Sequence, residues 1–154
     1  MLSYFNRFEA CAKALSYYLA QHGIVKSEKD WPRDHWYHKV NHAMEQVKQI
    51  IPIGSAFILM DENHWVTDHD FFGRKRIPFL DRNGEFVGAP ADDTTAIAQI
   101  ETEKNKGATF IVVPWSCFWY LTHYGGMKAY LDQHATCCVA NDLVQIYDLR
   151  TIVN

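Results

Sequence analysis

The chain has 154 residues, a formal net charge of -3 and 48% hydrophobic residues, enough for one domain with a substantial core. That balance excludes nucleic acid or an acidic membrane bound through bulk positive charge. The four cysteines are Cys11, Cys117, Cys137 and Cys138. With no C-x-x-C pair among them, they read as reduced thiols of a cytoplasmic protein rather than a zinc site or a bridge framework.

Residues 1–23 are expected to form an amphipathic helix, with Phe5, Phe8, Ala12, Leu15 and Leu19 on one face and Gly23 as its stop. No apolar leader and no membrane-length apolar run is expected. Residues 24–32 read as a connection. A second helix carries Trp36, Val40, Met44, Val47 and Ile51 on one side, ending at Pro52 and Gly54. His35, His38 and His42 share a face of that helix and read as partly exposed polar groups.

Residues 55–60 (SAFILM) form a continuous apolar run, as a strand covered on both faces requires. Residues 61–70 (DENHWVTDHD) read as an acidic loop at the strand's carboxyl end. The run Arg74-Lys75-Arg76 reads as solvated loop, residues 76–80 as a further strand, and residues 81–84 as a turn. Asp92 or Asp93 caps a helix through about Lys106, with Gly107 as a left-handed stop. Residues 108–113 (ATFIVV) are the second buried strand, followed by the aromatic segment 115–124 and Gly125-Gly126. A helix then runs through Gln133. Strands over 136–140 and 143–149 close the chain as a hairpin about Asn141-Asp142.

This order predicts a single α/β domain over residues 1–154, with two helices in 1–51 and a sheet-containing core in 52–154. The expected sheet is mixed and mostly parallel, of about five strands, with helices on both faces and a C-terminal β-hairpin. Ligands of such sheets bind beyond the carboxyl ends of the parallel strands. If the two buried strands are neighbours, the loops leaving them meet there and bring together Asp61, Glu62, His64, Trp65, Trp115, Ser116, Trp119 and His123. Flat aromatic walls with a few polar groups suit a sugar ring or another small amphipathic molecule. The same aromatics at helical spacing also suit core packing.

Other chemistries find weaker support. Asp61, His64, Asp68, His69 and Asp70 match no metal-ligand spacing, so neither metal nor cofactor is expected. Ser116 lies in Pro-Trp-Ser-Cys rather than a G-x-S-x-G elbow, and phosphate-cradle motifs are missing. Gly125-Gly126 before a helix is a flexible break, or an anion-accepting helix start. An enzyme would use Asp61 or Glu62 with His64 as acid/base groups. A structural module would associate through the residue 1–23 stripe.

Residues 77–149 resemble a domain appended to some bacterial glycosyltransferases and related cell-surface polysaccharide proteins. The shared pattern runs through Pro78-Phe79, Gly84, Phe86, Gly88, Pro90, Asp92, Ala96-Ile97, Gly107-Ala108, Phe110 and Val113-Pro114. It continues through Phe118-Trp119-Tyr120-Leu121, Tyr124, Leu131 and Ile146-Tyr147-Asp148-Leu149. Trp119-Tyr120-Leu121 stands where that family usually has two tryptophans followed by Leu. The resemblance implies an accessory domain in glycan or glycoconjugate assembly and carries over no catalytic residue. The partners it suggests are a sugar or other small molecule, a glycosyltransferase, or a second copy of the chain.

Overall fold

The computed structural model describes residues 36–65, 69–83 and 85–150. The expected helix over residues 1–23 lies outside them. Helix α1 (Trp36–Ile50) buries Val40, Ala43, Met44 and Val47, the i, i+3, i+4, i+7 stripe its sequence displays. Strand β1 (Ala56–Leu59) follows, then β2 (Asp70–Phe71) and β3 (Arg74–Pro78). A two-stranded ribbon, β4 (Asp81–Arg82) and β5 (Glu85–Phe86), stands apart from the main sheet. Helix α2 (Asp93–Asn105) starts at Asp92, whose carboxylate accepts from Thr95 N at 2.7 Å. It stops at Gly107, where φ is +107°.

Strand β6 (Ala108–Pro114) leads through a single 3₁₀ turn (Trp115–Cys117) into α3 (Trp119–His123) and α4 (Gly125–His134). Strands β7 (Thr136–Ala140) and β8 (Val144–Asp148) end the described chain. Their turn is tied by Asn141, whose Oδ1 accepts from Leu143 N and Val144 N.

The main sheet has six strands in the order β2-β3-β1-β6-β8-β7. Strand β1 lies parallel to both β3 and β6, so the two apolar runs are neighbours. The sheet is not mostly parallel, however. The β2–β3, β6–β8 and β7–β8 ladders, three of five, are antiparallel. The reason is connection length. The Phe72-Gly73 turn and the 141–143 turn are too short for a crossover and join antiparallel strands. Strand β8 then inserts between β6 and β7, which places an antiparallel neighbour against the central strand.

Helices cover both faces. One face packs α1 against Phe57, Leu59, Phe110, Val112, Val144 and Ile146. The other packs α2 and α4 against Ile58, Ile77, Ile111, Val113 and Tyr147. Alternation along β1 and β6 divides these sets, because successive side chains point to opposite faces.

The basic run is a second correction. Arg74-Lys75-Arg76 forms most of β3, and Arg74 and Arg76 are only 6% and 2% exposed. Arg74 Nε donates to Ile51 O, Nη1 to Phe72 O at 2.9 Å and Nη2 to Lys48 O at 2.8 Å. It thereby satisfies carbonyls at the open C-terminal end of α1 and fixes the β2–β3 turn against it. No helix among the described residues is long and apolar enough to cross a membrane.

Candidate functional site

The carboxyl ends of β3, β1 and β6 open on one edge of the sheet, where the loop 61–65 meets the 3₁₀ turn and α3. Pairing continues past β1: Met60 N donates to Val112 O at 3.0 Å, and Leu59 O accepts from Phe79 N at 3.2 Å. Asp61 then turns the chain. Its Oδ1 accepts from Asn63 N and its Oδ2 from Trp65 N, each at 3.0 Å. Asp61 is 1% exposed, so it acts as a buried turn-former rather than a polar anchor in a pocket.

Within that turn Glu62 and Asn63 adopt left-handed backbone, with φ of 52° and 60°. Consecutive non-glycine residues in that region carry strain that surrounding contacts must hold, a feature concentrated at functional sites. Two side-chain bonds hold it here. Asn63 Oδ1 accepts from the buried Arg76 Nη1 at 3.0 Å, and Glu62 Oε1 accepts from Tyr120 OH at 3.3 Å.

Tyr120 is the hub of an aromatic stack. Its ring lies 4.1 Å from that of Trp119, 5.6 Å from Tyr124 and 6.0 Å from Phe79. Burial, reinforced by the Glu62 carboxylate, raises its hydroxyl far above the ordinary tyrosine range. It is therefore a permanent neutral donor that aims Glu62. Tyr124 OH is anchored in turn on Pro90 O at 2.6 Å. Trp119 caps this stack while remaining 40% exposed. His123 is exposed and lies edge-on to Tyr124 at 4.7 Å. Below them Cys117 is fully buried, and burial pushes its thiol up to about 12. That thiol is no nucleophile at neutral pH. Ser116 is half-buried, its Oγ 3.9 Å from Cys117 Sγ.

The tryptophans proposed for one wall separate onto two faces. Trp65 (5% exposed) and Trp115 pack with the α1 side of the core. Trp115 lies 4.9 Å from Trp36 and 5.7 Å from Trp65, with the Lys39 ammonium 6.0 Å from its ring. Trp65 Nε1 is buried without a hydrogen-bond partner among the described residues. Trp119, by contrast, belongs with Tyr120 and the α2–α4 side. His64 is exposed on the loop tip. The structure thus joins Glu62, Trp119 and His123 around Tyr120, and joins Trp65 to Trp115 elsewhere.

Tyr120, Asn63 and Arg76 were not anticipated as site residues. For Tyr120 the available signal was its place beside Trp119 in an aromatic run with helical spacing. For Arg76 it was the Arg-x-Arg alternation that places both arginines on one side of a strand. Among the described residues no group of three or more His, Cys, Asp or Glu side chains is arranged to hold a metal ion.

The helix start at Gly125-Gly126 already has its anion. Asp93 Oδ1 accepts from Met127 N at 2.8 Å, bridging the α2 and α4 N-termini. A Cβ on Gly126 would lie 2.9 Å from Asp93 Cγ, so glycine permits this close approach.

Compared with known proteins, the chain matches no family model, and no curated sequence or solved structure is significantly similar to it.

Proposed function

We propose that the chain is an accessory ligand-binding domain that presents a sugar-stacking indole, Trp119, beside the carboxylate of Glu62. The observation that carries this reading is an exposed indole laid on a buried tyrosine whose hydroxyl holds that carboxylate. An indole face gives a sugar ring apolar contact at little conformational cost, and a fixed carboxylate accepts from ring hydroxyls. Tyr120, Tyr124 and Phe79 hold the platform still before any ligand arrives.

The setting follows from the resemblance in residues 77–149. The domain works in the cytoplasm beside a glycosyltransferase, in glycan or glycoconjugate assembly, and binds rather than transforms its ligand. An acid/base enzyme built on Asp61 and His64 is the poorer reading. Asp61 is 1% exposed and accepts from two backbone N–H groups, while His64 is exposed.

The test is a glycan array probed with the wild-type chain, Trp119→Ala and Glu62→Gln. Exposed indole contacts of this kind contribute about 2 kcal/mol, so Trp119→Ala should weaken any hit roughly thirtyfold. Trp119 also packs on Tyr120, so Trp119→Ala should lower the unfolding midpoint while far-UV circular dichroism shows the chain still folded, and Glu62→Gln should weaken the same hit without that loss. Retained binding in both variants would refute the proposal.

A further inference from the structure

A concave site lies apart from the Trp119 platform, and Arg76, whose side chain bonds Asn63 of the Glu62 turn, is the one residue it has in common with that region. A cleft of about 280 Å³ opens beside β3 and the C-terminal end of α2. Its floor is Ala56, Ile77 and Pro78. Its walls are Lys75 and Arg76 of β3, Glu103 and Lys106 of the α2 end, with Asp81 and His69. Two ammonium groups, Lys75 and Lys106, face two carboxylates, Asp81 and Glu103, while the Arg76 side chain turns to the other face of the sheet, where its Nη1 donates to Asn63 Oδ1.

Glu103 is almost wholly buried, at 3% exposure. Burying charge is costly, and folds tolerate it chiefly where charges are paired or functional. Glu103 shows an asymmetry. Oε1 accepts from both Gln99 Nε2 at 3.1 Å and Lys106 Nζ at 2.9 Å. Oε2 receives no hydrogen bond from the described residues, while Glu103 lines the cleft. Lys106 has two further N–H donors beyond its bond to Glu103, and Lys75 is exposed at the cleft's rim.

The cleft therefore offers ammonium donors at its mouth and a carboxylate acceptor within. At roughly 30 Å³ per water it holds about nine waters, the space of one monosaccharide unit. We propose that this cleft binds a small anionic, polyhydroxylated metabolite, with its anionic group on Lys75 and Lys106 and a hydroxyl donating to Glu103 Oε2. A sugar phosphate and a sugar acid share this chemistry. The site is independent of the Trp119 platform.

The test is a titration followed through backbone amide resonances of the full chain. The probes are a hexose monophosphate, a hexuronic acid, inorganic phosphate and the neutral hexose. One or both of the first two should move the Lys75, Ile77 and Lys106 signals saturably, with a dissociation constant of about 1 mM or tighter. Which of them binds more tightly distinguishes the phosphate from the carboxylate. Inorganic phosphate and the neutral hexose should each bind at least about fivefold more weakly than the better probe, since each offers half the contacts. Lys75→Gln, on an exposed side chain, should weaken the better probe about fivefold without shifting the unfolding midpoint. Trp119→Ala should leave this binding unchanged. The absence of a saturable shift with either anionic sugar at about 10 mM would overturn the proposal. So would equal binding of the neutral hexose, or indifference to Lys75→Gln.

Discussion

Replacing Arg74 by methionine isolates what a buried guanidinium does at the α1 end. The methionine keeps much of the apolar stem and removes donors to Ile51 O, Phe72 O and Lys48 O. Hydrogen bonds from a charged donor contribute about 1.5 kcal/mol each at the low end of their range, or roughly 4.5 kcal/mol for the set. Releasing the guanidinium from burial offsets part of that, leaving a net cost of about 3 kcal/mol. At a urea slope near 2 kcal/mol/M, typical for a small domain, the midpoint should fall by about 1.5 M. Urea unfolding followed by far-UV circular dichroism and by tryptophan fluorescence gives this directly. A midpoint shift below about 0.5 M would refute the argument, because it would mean these carbonyls find solvent at no cost.

Three other perturbations read separate parts of the structure. Tyr124→Phe removes the 2.6 Å bond to Pro90 O and should cost about 1–2 kcal/mol in urea unfolding; no change would show that this buried carbonyl finds water. Gly126→Ala would ordinarily favour a helix by about 1 kcal/mol, but here should destabilise, because the new Cβ drives Asp93 off Met127 N. A stabilised variant in thermal melts would contradict that sign. Cys117, with its thiol pushed up to about 12, should ignore an aromatic disulfide reagent at pH 8 while Cys137 and Cys138 react. The native thiol titre of Cys117→Ala should then equal that of the wild type and fall by one only in denaturant; a native titre already lower by one would show Cys117 to be accessible.

Much of this architecture was legible in the residues. The continuous apolar runs SAFILM and ATFIVV marked two buried strands, which the structure pairs in parallel at the sheet centre, and Asp92 and Gly107 bracketed α2. Sheet polarity was harder to read. Local pattern shows that 143–149 is a strand, yet its pairing with β6 rather than with the far edge is set by tertiary packing. The Arg74-Lys75-Arg76 run misled for a related reason. Charge alone suggests solvent, while the alternation that buries two arginines becomes meaningful only once the α1 end supplies carbonyls to Arg74 and the 61–65 loop supplies Asn63 to Arg76.

The candidate site was half legible. Loops leaving parallel strands pointed to Glu62 and Trp119, and the structure brings them together through Tyr120. The distribution of the aromatics over two sheet faces was hidden. The 3₁₀ turn at Trp115–Cys117 precedes α3 and separates Trp115 on the α1 side from Trp119 on the other, a change of period that spacing cannot reveal. Within the run Trp119 and His123 are exposed, while Tyr120, Leu121 and Tyr124 are buried.

The most direct test of the central claim uses the indole N–H region of a proton–nitrogen spectrum. The sequence has five tryptophans, so each indole signal can be assigned by single substitution. On titration with a glycan identified by array, the Trp119 indole signal should move, while those of Trp65 and Trp115 stay in place. Movement of the Trp65 and Trp115 signals with a silent Trp119 would contradict the account and place the ligand on the α1 face instead.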